Sequence, residues 1–368
     1  MNRLAEFSHV DQLVAAGVPH DAIANTARLW QGWLEEIGIT GRIYANTLAA
    51  DMAERAPFQD WSRFQPNSKR LLIYHHSLGA EFVEDVIGAD SQVPILVVYH
   101  NITPSHFFRS SDAALAGKAD LGRVQLRRLA DRAIFGFADS AFNRDEMLEM
   151  GFASRQIVVM PLTFDQDRYR EAARKLIESP IRTSRSRKEG PLLLFVSRFV
   201  PNKRQEDLVK LLAAYRLIEP NARLALVGDH WMPSYVKWVS DLASYLSLPA
   251  DAIEMPGKIS LEGMAGYFKR ADLFVSMSEH EGFGMTLIES MFFELPVMAF
   301  ASTAVPETMG NAGLLFYRKA YHLLAEVVDR LIKDQALRTR IIEKQNQRIK
   351  DFAPERIKKR FQETFRNK

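Results

Sequence analysis

Short apolar runs alternate with stretches of helical periodicity from one end of the chain to the other. In the first half the runs are "VDQLV" (10–14), "RLLIYHH" (70–76), "PILVVYHNI" (94–102), "RAIFGFADS" (132–140) and "QIVVMPL" (156–162). In the second they are "PLLLFVSRF" (191–199), "RLALVGD" (223–229), "ADLFVSM" (271–277), "LPVMAF" (295–300) and "GLLFY" (313–317). Several are apolar throughout, the pattern of strands covered by helices on both faces. Between them, "QEDLVKLLAAYRLI" repeats Leu208, Leu211, Leu212 and Tyr215 at i, i+3, i+4 and i+7, which predicts an amphipathic helix. Strand and helix in regular alternation predict βα units wound into parallel sheets.

The alternation breaks at "ESPIRTSRSRKEG" (178–190), a polar, basic stretch followed at once by a new strand. This predicts an α/β fold of two Rossmann-like domains facing a central cleft: 1–177, a linker 178–190, and 191–351. A terminal helix, 352–368, is expected to pack back on the first domain. In such sheets ligands gather outside the carboxyl ends of the strands, so loops after strands carry most weight.

Composition changes this picture little. The 368 residues are 47% hydrophobic and 25% charged, ordinary for a globular chain of two domains. A net charge of +3 gives no argument for nucleic acid. Cysteine is absent, which excludes disulfides, zinc–thiolate sites and thiol nucleophiles. The first residues lack a signal-peptide core, and no run reaches the ~18 apolar residues of a membrane span. The expectation is a soluble, cytoplasmic protein.

The densest chemistry lies in "SEHEGFGMTLIE" (278–289). A strand precedes it and a helix begins inside it, stopping before Pro296. Gly282 and Gly284 allow close backbone approach, and the amides of Gly284, Met285 and Thr286 at the helix start form an anion site beside Phe283. Two carboxylates, Glu281 and Glu289, flank that site. A phosphate on the helix start with hydroxyl acceptors on either side suits a nucleotide sugar, Glu289 holding the ribose and Glu281 the hexose.

With "EGFGMTLIE" presenting two glutamates separated by seven residues, the sequence resembles the retaining glycosyltransferases of family 4, bacterial polysaccharide and O-antigen enzymes in particular, many of them mannosyltransferases. "SRFVPNKRQEDLV" (197–209), "ARLALVGD" (222–229), "PVMAFASTAVPET" (296–308) and "YHNITPSHFF" (99–108) extend the resemblance over nearly the whole chain. It implies a GT-B fold, with acceptor on the N-terminal domain and nucleotide sugar on the C-terminal one. It also implies hexose transfer with retention and without metal, so the donor is a substrate and no cofactor is needed. GDP-mannose is the first donor to try, UDP-sugars the alternative.

Residue by residue, Arg198 and Lys203 match the family's cationic pair and would meet the charge on the departing diphosphate, the role of a metal elsewhere. Gly228 falls in the matching "VGD" turn. His100 closes a strand where the family has a histidine next to the transferred sugar, its ring or backbone carbonyl stabilising a cation-like sugar. His75 and His76 end the neighbouring run; His76 is expected to touch the acceptor. Lys258 and Ile259 are candidates for the loop that reads the base, and His230, Trp231 and His280 for neighbours of the nucleotide or sugar. On the acceptor side the family's glycine pair is replaced by Gly17 alone, with Asp21 at the following helix start.

"DQD" (165–167) reads as the D-x-D of metal-dependent transferases, but Asp after a strand more often caps a turn or helix. Lys118, Arg123, Arg127 and Arg128, with Lys358, Lys359 and Arg360, form basic stretches suited to peripheral docking at anionic lipid on the inner face of the plasma membrane, or at a lipid-linked glycan acceptor. Paired Rossmann domains also serve epimerases and phosphorylases, and a non-catalytic nucleotide-sugar-binding partner of another transferase is the third reading.

Overall fold

The computed structural model describes residues 3–18, 21–49, 57–88, 93–177 and 190–366. They form two compact units, Met1–Thr163 with Pro354–Lys368, and Phe164–Ala353. The first holds seven parallel strands: β1 (Val10–Gly17), β2 (Ile43–Leu48), β3 (Phe58–Asp60), β4 (Leu71–His76), β5 (Ile95–Tyr99), β6 (Ala133–Ala138) and β7 (Ile157–Val159). Their order is β3-β2-β1-β4-β5-β6-β7. The second holds six: β8 (Leu192–Val196), β9 (Arg223–Val227), β10 (Ile253–Gly257), β11 (Leu273–Ser276), β12 (Val297–Phe300) and β13 (Leu314–Phe316), in the order β10-β9-β8-β11-β12-β13. Both are doubly wound. The order reverses between β1 and β4 in one sheet and between β8 and β11 in the other, where ligand crevices form.

The ten sequence runs all contain strands. The three strands they omit are short or near a sheet edge. β3 has three residues, β10 is an edge strand of five containing Pro256, and β2 is buried only over its first three residues. Strands covered on one face or at an edge lack the continuous apolar signature.

Alternate residues of the first sheet feed opposite faces. Leu72, Tyr74, Ile95, Val97 and Tyr99 pack with the helix Ala113–Arg132, and Leu71, Ile73, Leu96 and Val98 with the helix Ala22–Glu35. That second face is completed by the helix Pro354–Arg366, whose Ile357, Phe361 and Phe365 repeat at i, i+4 and i+8. Phe361 lies 4.7 Å from Trp30, centroid to centroid, and is fully buried.

The division differs from the expected one at residues 164–177. The helix Gln166–Ile177 packs on the helix Leu261–Arg270 of the second unit. Phe164 and Tyr169 anchor it there, the Phe164 ring 5.2 Å from that of Phe292. The expected linker lies outside the described residues except for Gly190. In the second unit, the predicted amphipathic helix is Gln205–Tyr215, with Leu208, Leu211, Leu212 and Tyr215 fully buried.

Candidate functional site

β8 and β11 are hydrogen-bonded neighbours, so the loops that leave their carboxyl ends meet. The first carries Arg198 to Arg204, the second Met277 to Gly284. Asn202 joins them: its Nδ2 donates to His280 O (3.1 Å), while its own carbonyl accepts from Glu279 N (2.8 Å) and Ser278 Oγ (3.3 Å). Lys203 Nζ thereby lies 2.6 Å from Glu281 Oε1. Thr303 Oγ1 pins Glu281 from the other side, accepting from its N–H and donating to its carbonyl, both at 2.8 Å. Beneath, Arg204 pairs with Glu279 and Glu206, and Lys319 with Glu279 and Asp207. This lattice fixes the Lys203–Glu281 pair without using its remaining hydrogen-bonding capacity.

Arg198 differs from its neighbours. It is exposed, has no carboxylate within ion-pair distance among the described residues, and lies over the Trp231 ring at 4.9 Å. A guanidinium stacked on an aromatic face keeps its N–H edge open for an anion. Its main chain is held by Gln205 Nε2, which donates to Arg198 O at 2.9 Å. Gly228 is needed beside this loop because a Cβ there would lie 2.0 Å from Ser197 O.

The helix Met285–Phe292 starts at Gly284, whose φ of +92° is the left-handed region open to glycine. The first amides of this helix precede any carbonyl of the helix able to accept them, and they carry its positive dipole end. Phe283 is buried, its ring 5.5 Å from Phe352, so its side chain anchors the loop and faces no ligand. Gly282, Met285 and Thr286 are half-buried along the same loop and first turn.

Glu289 lies one turn further along. It is buried at 8% exposure, accepts from Tyr169 Oη at 2.5 Å on Oε1, and has no partner on Oε2. Burial pushes its carboxyl up to about 7, against the opposing influence of Tyr169 and Arg168. Asn202 Oδ1, Gln205 Oε1 and His230 Nε2 are likewise buried without partners. Unmatched buried atoms are costly, and these four could be completed by a polar ligand, although Asp11 Oδ2, Thr163 Oγ1 and Gln345 Oε1 elsewhere in the chain are unmatched as well.

Lys258 is exposed and Ile259 half-buried after β10, where the His230 ring packs against Gly257. His280 is buried, its carbonyl bound by Asn202. Asp165 caps the helix Gln166–Ile177 through Arg168 N (3.1 Å), and Asp167 pairs with Arg170. Among the described residues no cluster of three or more His, Asp or Glu side chains is disposed to hold a metal ion.

In the first unit, His100 follows β5 with its side chain 3% exposed. Its Nδ1 is 2.9 Å from Asp139 Oδ2 and its Nε2 is 2.9 Å from His75 Nδ1. His75 Nε2 in turn is 3.1 Å from Gln12 Oε1. Both ring nitrogens of His100 are thus used inside the unit, and the ring has none left for a sugar. His76, expected at the acceptor, is a core residue on the opposite face of the sheet. It is fully buried, accepts from Tyr74 Oη (3.0 Å) and donates to Gly122 O (2.9 Å). Period-two alternation along β4 decides which of the two histidines faces which side. Asp21 is the N-cap of the helix Ala22–Glu35, accepting from Ala24 N at 2.8 Å, and Gly17 ends β1 against the Phe58 ring. Capping occupies Asp21 Oδ1, and packing sets the place of Gly17.

The basic stretches are partly spent. Arg123 turns inward to Glu146 (2.6 Å), Arg128 pairs with Glu84 (2.6 Å), and Lys358 with Glu36. Among the described residues no helix is long and apolar enough to cross a membrane.

Three contributors to the site escaped the sequence: Tyr169, Asn202 and Thr303. Tyr169 is 120 positions from its partner, and Asn202 reads as a turn residue in "VPNK". Only the apolar-flanked aromatic in "TFDQDRY" hinted that this segment packs inward.

Two parallel doubly wound sheets, one of them with a cationic loop and a glutamate-flanked helix start at its switch point, are the architecture of the GT-B fold. Residues 177–348, just under half of the chain, match the family "Glycosyl transferases group 1". It is 26% identical over 226 residues to the GDP-mannose-dependent alpha-(1-6)-phosphatidylinositol monomannoside mannosyltransferase of Mycobacterium tuberculosis, covering 58% of this chain and 57% of that protein. It is 26% identical over 258 residues to a sulfoquinovosyl transferase of Arabidopsis thaliana, covering 64% and 48%. The chain therefore matches about half the length of these relatives. The crystal structure of Anabaena HepE in complex with UDP-glucose superposes with a TM-score of 0.74 at 19% identity, covering 97% of this chain and 98% of that one.

Proposed function

We propose that this protein transfers a hexose from a nucleoside diphosphate sugar to a glycan or lipid-linked glycan acceptor of surface polysaccharide synthesis, with retention at the anomeric carbon and without a metal. One observation carries the proposal: Lys203 and Glu281 are locked 2.6 Å apart at the switch point, and the loop that carries Lys203 also carries Arg198, which has no carboxylate partner among the described residues. Cleaving the bond from the anomeric carbon to the diphosphate leaves negative charge on phosphate oxygens. Arg198, Lys203 and the helix amides at Met285 and Thr286 would meet that charge, the work a metal does in other transferases. Glu281 would accept hydroxyls of the hexose and Glu289 Oε2 those of the ribose. The acceptor's hydroxyl oxygen bonds to the anomeric carbon as the phosphate oxygen leaves, and its proton departs with the phosphate.

GDP-mannose is the proposed donor, supported by the similarity to the mycobacterial GDP-mannose-dependent mannosyltransferase. A UDP-sugar is the second reading, favoured by the complex of HepE with UDP-glucose. Lys118, Arg127 and Arg360 are exposed and without ion pairs among the described residues; they would meet anionic lipid if the acceptor is lipid-linked, at the inner face of a membrane in the cytoplasm.

The test is a thermal-shift screen of nucleoside diphosphates and their sugars, followed by NMR of the sugar released or transferred. A nucleotide at 100 times its Kd should add about 2.7 kcal/mol to the folded state. Retention appears as an α product from an α donor. Free epimerised sugar, sugar phosphate, or binding with no turnover of any donor would overturn the proposal.

A further inference from the structure

β12 is the parallel neighbour of β11, so the chain that leaves its carboxyl end runs beside the loop that carries Glu281. Three hydroxyls along it grip that loop by its main chain. Ser302 Oγ donates to Ser278 O at 2.7 Å, Thr303 Oγ1 bonds both the N–H and the carbonyl of Glu281 at 2.8 Å, and Thr308 Oγ1 donates to Phe283 O at 2.5 Å. The amide of Ala304 adds a second donor to Glu281 O at 3.3 Å. From the other side, Asn202 holds Glu279 and His280. The loop is set between the two, with Glu281 fixed at both its N–H and its carbonyl by the segment 302–308.

Thr303 holds this place under strain. Its φ is +44°, in the left-handed region, where a β-branched side chain meets steric opposition that glycine does not. The residue is half-buried, so filling the core does not account for it. What its side chain supplies is the pair of bonds to Glu281: the hydroxyl oxygen accepts from the N–H and its one proton goes to the carbonyl. Strained residues persist where the surrounding structure over-determines them, and they gather at functional sites. A residue bonded at both its main-chain groups sends its Cα–Cβ bond in a fixed direction, and for Glu281 that direction leads to Lys203 Nζ, 2.6 Å from Oε1. Lys203 cannot set the direction itself. Its ammonium has three rotatable donors on a flexible stem, so it follows the carboxylate.

We infer that Thr303 is a positioning residue whose left-handed turn and hydroxyl together fix the direction of the Glu281 carboxylate, with Ser302 and Thr308 as the flanking anchors of the same clamp. The two halves of the device are separable by chemistry. Serine keeps the hydroxyl and removes the branch at Cβ; glycine takes the left-handed turn freely and has no hydroxyl; valine keeps the branch and has no hydroxyl. The clamp is a property of the folded second unit and is measured without substrate. Only its effect on turnover rests on the proposed transfer.

The experiment is hydrogen exchange of the full chain, read by mass spectrometry on peptides covering 278–289, for the unaltered protein and for Thr303→Ser, Thr303→Gly and Thr303→Val. The serine variant should exchange this segment as the unaltered protein does, and the glycine and valine variants about tenfold faster, while peptides from β8 and β9 keep their rates. The glycine variant should melt above the valine variant, since only valine retains the strain, so the loss of the clamp and the loss of stability come apart. Should the valine variant fail to fold, the glycine variant carries the test. Unchanged exchange in the glycine variant overturns the clamp. With a donor in hand, kcat should fall about ten- to hundredfold in the glycine and valine variants and stay within about twofold in the serine variant, with the Kd of the free nucleoside diphosphate unchanged in all three. A kcat that follows melting temperature instead of the hydroxyl, or one that is unchanged in the glycine variant despite faster exchange, overturns the positioning role. If the unaltered protein turns over no donor, the transfer reading fails and the exchange result decides the clamp by itself.

Discussion

The two units place charged groups at equivalent edges of two similarly wound sheets and leave them in opposite states. In the first unit, the side chains of His75, His76, His100 and Asp139 are buried, and the three rings have both nitrogens bonded to one another, to Asp139, to Gln12 and Tyr74, or to the main chain of Gly122. In the second, Arg198 lacks a carboxylate among the described residues, and Glu289 Oε2, Asn202 Oδ1, Gln205 Oε1 and His230 Nε2 lack partners. A buried polar atom without a partner costs about 1–3 kcal/mol, so it survives where a ligand completes it. The contrast holds for these two sets of residues and not for whole units, since Asp11 Oδ2 and Thr163 Oγ1 of the first unit also lack a hydrogen-bond partner: one set is paired internally, and the other leaves acceptors open to a ligand.

The largest perturbation should come from the scaffold side. Phe361→Ala empties a position shared by Trp30, Trp33 and Phe137 and should cost about 3–5 kcal/mol, the range for burying no ring where one was packed. Denaturant unfolding measures it. Nucleotide affinity should be unchanged at temperatures where the variant is folded, since the ring lies in the unit that lacks the donor loops. A loss of affinity in the folded variant would erase the division of labour drawn here.

Next in size are Arg198→Ala and Lys203→Ala, each expected to lower transfer by about 10²–10³, or roughly 3–4 kcal/mol of transition-state stabilisation. The two should differ in stability. Arg198 is exposed and should be neutral there, whereas removing Lys203 leaves Glu281 half-buried beside Thr303 without its cation. Kinetics together with circular dichroism separate these effects. Retained transfer in both variants would end the metal-free role given to this pair.

How far the sequence carried these contrasts depends on the range of the interaction. The meeting of Lys203 with Glu281 was legible because both follow strand ends in local patterns, and strand ends at a switch point come together whatever the intervening chain; their roles, with those of Arg198 and Glu289, are proposals. The ten apolar runs were legible for the same local reason. His76 was misread because His75 and His76 are adjacent in sequence, and only the pleat turns His75 toward His100 and His76 toward Tyr74 and Gly122 on the other face. Asp21 and Gly17 were read as acceptor contacts, where capping and packing against Phe58 are the stronger local demands. The 164–177 segment followed its neighbours in sequence, but its aromatic side chains follow Phe292 in space. Long-range partners such as Tyr169 for Glu289 leave no local mark.

Glu289→Gln tests the cost of an incomplete site. The folded carboxyl, near 7, lies above its ordinary value of 4.5. Below 4.5 both states hold the proton and nothing is lost; between 4.5 and 7 the unfolded chain ionises first, so stability falls as pH rises, by about 3 kcal/mol in all. Glutamine does not titrate. The stability of the variant relative to the unaltered protein should therefore improve by about 3 kcal/mol between pH 4 and pH 8, while nucleotide binding weakens. Parallel stability curves across that range would show that Glu289 does not carry the burden assigned to it.

Tyr169→Phe is the finest probe, because it removes one hydrogen bond and leaves the ring packed against Phe164 and Phe292. The hydroxyl stays protonated, its ionisation driven up by burial and by Glu289, so it is a donor at every working pH and favours the ionised carboxylate. Without it, the Glu289 carboxyl should rise further, and the cost should appear only where the carboxylate is ionised: about 1.5–3 kcal/mol of stability above neutral pH and little near pH 5. Nucleotide affinity should follow the same direction. The gain with rising pH that an ionised Oε2 accepting ribose hydroxyls would give should move to higher pH in the variant and vanish in Glu289→Gln. Calorimetric titration with GDP and UDP at pH 6, 7 and 8 reads both shifts, and a pH-independent affinity in the unaltered protein would detach Glu289 from the ribose.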